Sequence, residues 1–306
     1  QLSLCLDAEE AERLVLSLEL LNRLAHEPSL RHWHGLGLAV QAYQKRAPLV
    51  IDHLITIARS SGRRLMVRLV KGAYWDSEIK RAQQAGRRDY PVFTTKAATD
   101  VSYLVCADRI LQAGEQLAPQ FATHNAHTMA AVRALTSLHG CSSYEFQRLQ
   151  GMGEAVYQAL HAYDRTVAVR VYAPVGRHRD LLPYLVRRLL ENGSSAGFLQ
   201  GLLDPAQPPE QLTADPLAAL QARPARHPAL AAPPQLFGDH RPNSIGLDLN
   251  CDADLQRLHQ ALTRRDAVPP QTGGLAIVSP HDRRQLLGRV TPTTGEGIAE
   301  IGRAHV

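Results

Sequence analysis

Two adjacent arginines lie in a leucine-rich segment, residues 181–198, that has the pattern of a helix. Tyr184, Arg187, Arg188 and Glu191 follow one another at i, i+3, i+4 and i+7, so they would share one helical face. Two guanidinium groups on one face can bind a carboxylate through parallel, charge-assisted hydrogen bonds. Alternatively, Arg187 and Glu191 form a solvated surface pair worth about 0.3–0.5 kcal/mol. The helix considered alone favours this second interpretation.

A second cluster, "RLVKGAYW" at 68–75, runs from the end of a strand-like segment into the following turn. It combines two cations, a small turn and two aromatic rings: Arg68, Lys71, Gly72, Ala73, Tyr74 and Trp75. Cations suit phosphate groups, glycine permits close approach of a backbone, and flat rings pack against a ring system. The cluster predicts a site for a nucleotide-like cofactor with phosphates; the alternative is a tight strand-to-helix turn with aromatic packing.

The remaining motifs do not favour a metal site or a dinucleotide turn. Gly151-x-Gly153 lacks the third glycine of a Rossmann phosphate turn. His124 and His127 lie three residues apart, but no third ligand joins them in sequence, so we interpret them as caps or polar site residues. We therefore predict no metal ion.

Composition bounds the class of protein. The chain has 306 residues, 44% of them hydrophobic, and a net charge of +5 that permits an anionic partner without demanding one. Scattered basic residues and 5% aromatics give little support for nucleic-acid binding. Four widely spaced cysteines, and the lack of an apolar run of roughly 18–20 residues, indicate a cytoplasmic protein with reduced thiols.

Six strand-like runs alternate with helical patterns between residue 2 and about residue 192. The runs are "LSLCL", "GLAVQA", "LMVRLV", "QFAT", "YEFQRL" and "VAVRVYA". The alternation predicts an α/β fold with a parallel sheet and helices outside it. Because the chain opens on Gln1 in a strand-like run, we expect it to begin within a domain, as an eight-unit barrel lacking its first two units.

Polar residues follow the predicted strands at their carboxyl ends, which in a barrel all face one mouth. They are Asp7, Gln41, Arg68, Lys71, Thr123, His124, Gln147, Arg148 and Tyr172. One such residue is weak evidence, but six strands that share the feature predict an active site at that mouth.

Long blocks of the sequence resemble the proline dehydrogenase domain of proline utilization A, a family of bifunctional flavoenzymes that oxidise proline to glutamate. The blocks include "VQAYQKRAPLVID", "LMVRLVKGAYWDSEIKRAQ", "QFATHNAHT", "YEFQRLQGMGE" and "VYAPVGRHRDLLPYLVRRLLENG", and they run to about Phe198. The resemblance implies a distorted (βα)8 TIM-type barrel, here lacking its first strands. FAD would lie across the mouth, and the last helix would lie over the opening.

The resemblance assigns substrate and catalytic roles. Arg187 and Arg188 would bind the carboxylate of L-proline, and Tyr172, Tyr184 and Leu149 would surround its ring. Arg68 would lie near flavin N5, and Asp7 would be the active-site aspartate whose lysine partner belongs to an upstream strand. The implied catalytic residues are Asp7, Arg68, Tyr172, Arg187 and Arg188.

The resemblance also implies a set of residues that contact FAD. These are Gln41, Arg68, Val70, Lys71, Gly72, Ala73, Tyr74, Trp75, Thr94, Lys96, Thr123, His124, Asn125, Gln147, Glu191 and Phe198. Thr95 departs from the arginine expected at its position, which leaves one phosphate contact in doubt.

The activity implied is oxidation of L-proline to 1-pyrroline-5-carboxylate, with hydride transfer to flavin N5 and electrons passed to a membrane quinone. It further implies a cytoplasmic protein with peripheral contact at the inner face of the cell membrane, and a homo-oligomer in full-length form. DNA binding would require an additional N-terminal segment. NAD would belong only to an aldehyde dehydrogenase domain.

Two other functions remain open at this point. The first is a non-catalytic or regulatory barrel remnant that binds an anion through Arg187 and Arg188. The second is a flavin-free barrel acting on a phosphorylated substrate. Because an open barrel exposes strand edges, we also expect the chain alone to aggregate or retain FAD weakly.

We expect four regions along the chain. Residues 1–202 would form the proline dehydrogenase barrel, and residues 203–242, rich in proline and alanine, a linker. Residues 243–299 would begin the aldehyde dehydrogenase domain, and residues 300–306 would be a non-native tail.

Overall fold

The computed structural model describes residues 2–194, 215–222, 224, 226–263 and 273–303, and the side chains of these residues except 188–194 and 300–303. The chain divides into two compact units, Gln1–Asn250 and Cys251–Val306. The candidate site belongs to the first unit.

The first unit is built on six parallel strands that are hydrogen-bonded in chain order. They are β1 Leu4–Leu6, β2 Leu36–Gln41, β3 Leu65–Val70, β4 Leu117–Ala122, β5 Glu145–Leu149 and β6 Ala168–Tyr172. Sequential parallel order is the arrangement of a barrel wall, so all six carboxyl ends meet at one edge. The predicted α/β fold is confirmed as a curled half-barrel.

Helices connect the successive strands, as parallel pairing requires. They are α1 Leu14–His26, α2 Ala47–Ser61, α3 Trp75–Gln84, α4 Lys96–Gln112, α5 Ala126–Leu138 and α6 Glu154–Tyr163, with α7 His178–Ser194 following β6. None of the helices described is long and apolar enough to cross a membrane.

The apolar core lies between the sheet and its helices. On β3, Leu65, Val67 and Leu69 are fully buried in that core, whereas Arg68 and Val70 alternate with them and are only half-buried. Successive side chains of a strand point to opposite faces, so one face of the sheet is apolar and the other is available for polar groups.

An aromatic cluster fastens β4 and β5 to the helices. Phe121 and Phe146 are fully buried with ring centroids 6.2 Å apart, and Tyr144 and Tyr157 meet Phe146 edge-on at 5.8 and 6.4 Å. Edge-to-face contacts of this kind add to the free energy gained by burying the rings.

Two elements begin earlier than the sequence predicts. β4 starts at Leu117 instead of Gln120 and includes Pro119. α4 starts at Lys96 instead of Thr99, because the Thr95 side chain caps it by accepting a hydrogen bond from the Ala98 backbone amide at 3.4 Å.

Residues 231–246, which begin within the proline- and alanine-rich segment, pack against the loop between α3 and α4. The Tyr90 hydroxyl donates to the Ala231 carbonyl at 2.7 Å, and the Gly246 amide donates to the Gly86 carbonyl at 3.0 Å. Gly86 has a φ of 57°, and a Cβ there would lie 1.9 Å from the Ser244 carbonyl oxygen, so this approach requires glycine. The proline- and alanine-rich segment also contains helix α8, Pro216–Gln221.

The second unit contains helix α9, Asp252–Thr263, and a two-stranded antiparallel sheet. Its strands are β7 Leu275–Val278 and β8 Leu286–Val290, and helix α10, Gly295–Arg303, follows them. The bounds of the four predicted regions stay predictions.

Phe121→Ala should lower the free energy of unfolding by about 3–5 kcal/mol, because it removes a fully buried ring and leaves a cavity. Leu138→Ala is the matched control at a side chain that is 74% exposed, and should change it by no more than about 0.5 kcal/mol. Denaturant unfolding followed by circular dichroism measures both. Equal losses would contradict the role given to the aromatic cluster.

Candidate active site

The carboxyl ends of the strands bring together polar side chains that are distant in sequence. Asp7 follows β1, Gln41 ends β2, Arg68 lies in β3, Gln147 in β5 and Tyr172 at the end of β6. Arg68 alternates with the buried apolar residues of β3, and Gln147 follows the buried Phe146 of β5, so both side chains point away from the helices. We call this edge the mouth.

Arg68 links three strands at the mouth. Its guanidinium is 2.5 Å from Asp7 Oδ1, and its Cζ lies 5.9 Å from the centre of the Tyr172 ring. Burial opposes the charge, but Cys5 and Asp7 outweigh it and raise the pKa of Arg68 above its usual value. Arg68 is therefore a permanent cation held in a fixed direction.

Two lysines share one carboxylate beside the mouth. Lys71 Nζ donates to Asp100 Oδ1, and Lys96 Nζ is 2.8 Å from Asp100 Oδ2. Burial opposes ionisation of Asp100, yet the two lysines outweigh it and lower its pKa. Burial also lowers the pKa of Lys71, against the attraction of Asp100. With both lysines protonated, the group carries one net positive charge, which suits a phosphate.

Gly72 makes the turn after β3 and could not be replaced by a residue with a Cβ. Its φ is 136°, and a Cβ would lie 2.5 Å from the ring of Tyr43, which is itself buried. Glycine is therefore required where the turn passes over the Tyr43 ring. Trp75 follows and donates through Nε1 to the Phe93 carbonyl at 2.8 Å.

Arg187, on α7, reaches Tyr74. Its Cζ lies 5.3 Å from the centre of the Tyr74 ring, and the Tyr74 hydroxyl donates to Glu9 Oε2 at 2.7 Å. Burial together with Glu9 raises the pKa of Tyr74 to about 12. The Nε of Arg187 is buried and has no hydrogen-bond partner in the described part of the chain. A buried cationic donor without an acceptor is suited to an anionic ligand.

The loop after β4 is fixed by its own hydrogen bonds. Asn125 caps α5, because its side-chain oxygen accepts from the Thr128 amide at 2.9 Å. The Asn125 amide donates to Thr123 Oγ1 at 3.2 Å, and a Cβ on Gly153 would lie 2.8 Å from the His124 ring. Asn125 can thus contact a ligand through its NH2 group.

Other residues that are predicted to contact the cofactor already form hydrogen bonds within the protein. Gln41 Nε2 donates to the Ala8 carbonyl at 3.1 Å, and Thr94 Oγ1 accepts from the His227 amide at 3.0 Å. Gln41 can still accept through its second lone pair, and Thr94 can still donate its hydroxyl proton.

The apolar residues predicted for the site occupy several positions. Leu149 is buried at the end of β5, and Val70 is half-buried at the end of β3. Ala73 is exposed in the turn, and Tyr184 is half-buried on α7. The side chains of Arg188 and Glu191, and the whole of Phe198, lie outside the described residues.

Two acidic residues at the site were not predicted from the sequence. Glu145 lies inside the half-barrel and bonds Gln120, Gln147 and Arg170, and Glu9 bonds Tyr74. Burial alone would raise the pKa of Glu145, but hydrogen bonds from Arg170 and Gln147 lower it. The sequence could have indicated Glu145, because residues two apart in a strand share a face and Gln147 was already predicted for the site.

Comparison with known families assigns residues 1–201 to a family model described as proline dehydrogenase. The chain is also similar to the bifunctional protein PutA of Escherichia coli, with 45% identity over 94% of this chain and 24% of the relative. The bifunctional protein PutA of Rhizobium meliloti is 48% identical over 95% of this chain and 25% of the relative. The chain thus spans about a quarter of the length of these relatives.

Solved structures show the same similarity. A mutant of Bradyrhizobium japonicum proline utilization A superimposes with a TM-score of 0.81 and 48% identity, covering 88% of this chain and 28% of that one. The half-barrel therefore has the fold of the corresponding part of that protein.

The Asp100 cluster should make stability depend on pH. Because the folded state lowers the pKa of Asp100, its contribution is fully present above the unfolded value of about 3.9 and is lost as pH falls through the folded value. Asp100→Asn should therefore be less stable than the parent at pH 7, and the difference should shrink below about pH 4.

Urea unfolding midpoints measured from pH 7 downwards test this prediction. Asp239→Asn, at an exposed position, serves as the control and should follow the parent at every pH. A difference between parent and Asp100→Asn that stays constant down to pH 2 would contradict the role of the ion pairs.

Proposed function

The chain belongs to the proline dehydrogenase family, and from this premise we propose that the mouth of its half-barrel binds FAD and L-proline and oxidises proline to 1-pyrroline-5-carboxylate. The whole reaction includes a final acceptor, for which we propose a membrane quinone.

The observation that carries the proposal is the buried Nε of Arg187 above Tyr74, which has no acceptor among the described residues. A guanidinium binds a carboxylate through two parallel N–H bonds, and burial strengthens that attraction by excluding water. We propose that Arg187, together with Arg188, binds the carboxylate of proline. Tyr184, Tyr172 and Leu149 would surround its apolar ring.

The residues at the mouth fit FAD. Gly72 is exposed at the turn and carries no side chain, so a ligand could lie close to its backbone there. Lys71 and Lys96 supply positive charge for phosphate groups, and the buried polar side chains of Thr123 and Gln147 supply hydrogen bonds. We propose that these residues hold the cofactor together with Gln41, Val70, Ala73, Tyr74, Trp75, Thr94, His124, Asn125, Glu191 and Phe198.

FAD, when bound, would supply the acceptor for the hydride that leaves proline, which carries both electrons of the oxidation. The protein supplies position and charge. Arg68 is paired with Asp7 and stays protonated, so it offers a permanent positive charge where negative charge develops. Asp7 holds Arg68, and Tyr172 packs beneath its guanidinium.

Four further proposals concern the longer relatives. We carry over a second, NAD-dependent aldehyde dehydrogenase activity, a homo-oligomeric state, and a cytoplasmic location with peripheral membrane contact. DNA binding would belong to a segment outside these residues. Each rests on similarity to proteins of which this chain spans about a quarter.

Arg187→Met should raise the KM for L-proline by a factor of roughly 30 to several thousand, with far less effect on FAD content. The reason is that losing one partner of a buried charge pair costs about 2–5 kcal/mol. Arg188→Met should act in the same direction. Steady-state kinetics on FAD-loaded protein, with flavin quantified by absorbance, measure both effects.

Arg23→Met is the matched control, since Arg23 lies on α1 with a 77% exposed side chain and pairs with Glu19 of the same helix. It should leave KM unchanged. Unaltered proline affinity in both Arg187→Met and Arg188→Met would place the substrate elsewhere. A colourless parent that takes up no added FAD would favour a non-catalytic anion-binding barrel.

A further inference from the structure

Glu145 is the central acceptor of a polar network inside the half-barrel. It lies in β5 two residues before Gln147, and its side chain is 16% exposed. Gln120 Nε2 donates to it at 2.9 Å from β4, and Gln147 Nε2 at 2.8 Å. Arg170, in β6, forms a two-pronged ion pair with both carboxylate oxygens at 2.8 Å.

The chemistry of the carboxylate determines how the amides turn. An ionised carboxylate can only accept hydrogen bonds, and in a glutamine only the NH2 group can donate. Arg170 and Gln147 keep Glu145 ionised by lowering its pKa against the effect of burial. Gln147 must therefore direct its nitrogen towards Glu145 and its carbonyl oxygen away from it.

Within the described part of the chain, that carbonyl oxygen is an unused acceptor. Gln147 is 5% exposed, and no donor among the described residues bonds its Oε1. The glutamine lies in register with Ala122 at the end of β4, so this oxygen belongs to the mouth. An acceptor without a donor, on a side chain that the protein otherwise encloses, is suited to a ligand that carries a donor.

We propose that Glu145 is a positioning residue that fixes the carboxamide of Gln147, so that Gln147 accepts a hydrogen bond from an N–H or O–H group of bound FAD. This inference rests on the proposed function, which supplies the cofactor. Glu145 does not itself touch the ligand. Arg170 supports it by holding both carboxylate oxygens from the neighbouring strand.

A double-mutant cycle on FAD affinity tests the proposal. Glu145→Gln allows the amide of Gln147 to turn either way, and should raise the Kd for FAD roughly tenfold, the value of about one hydrogen bond. Gln147→Ala should raise it at least as much. The double variant should bind FAD no more weakly than Gln147→Ala, because Glu145 acts only through that side chain.

If the Kd for FAD in the double variant rises by the product of the two single factors, Glu145 acts independently of Gln147 and the proposal is overturned. Glu115→Gln is the matched control at an exposed carboxylate before β4, and should leave the Kd within about twofold. Thermal melts of the FAD-free variants separate a loss of affinity from a loss of folding.

A measurement without cofactor tests the amide orientation itself. In protein labelled with ¹⁵N at glutamine side chains, Gln147→Ala identifies the Gln147 NH2 signals by removing them. These protons should exchange slowly in the parent and much faster in Glu145→Gln. Equal exchange rates of the Gln147 NH2 protons in the parent and in Glu145→Gln would overturn the inference, even if the parent binds FAD. Slow exchange in a parent that binds no FAD would refute the proposed function and leave Gln147 without its ligand.

Discussion

Pairing of charges between strands is the constraint on which the inside of this half-barrel depends. A charge inside a fold is costly unless it is paired and hydrogen-bonded. Arg68 of β3 meets Asp7 beyond β1, and Arg170 of β6 meets Glu145 of β5. The pairs join strands whose apolar side chains already pack against the helices, so the polar surface is held rigidly before any ligand binds.

Arg187 differs from these paired cations, and the difference indicates where a ligand anion would bind. It comes from a helix that follows the last strand, it contacts Tyr74 through the aromatic ring, and its buried Nε has no acceptor among the described residues. Tyr74 is fixed in turn by Glu9 and by the Gly72 turn that precedes it. A ligand carboxylate would give Arg187 the kind of acceptor that Arg68 and Arg170 already have within the protein.

Periodicity predicts the fold well because alternation in strands and helices is a local property. In "LMVRLV" the apolar and polar positions alternate, and Arg68 and Val70 indeed lie on the opposite face of β3 from its buried residues. The pairing of charges was not predictable, because it depends on register between strands far apart in sequence, as for Asp7 with Arg68. Nor could the sequence show that Thr94 is engaged by the His227 amide, since 133 residues separate them.

An anaerobic titration would show whether the mouth brings L-proline to a flavin. FAD-loaded protein would receive increasing L-proline while the absorbance of the oxidised flavin is recorded. We predict that the absorbance falls in a saturable way with L-proline and stays constant with the same concentrations of glycine. Flavin that remains bound and fully oxidised at saturating L-proline would contradict the account.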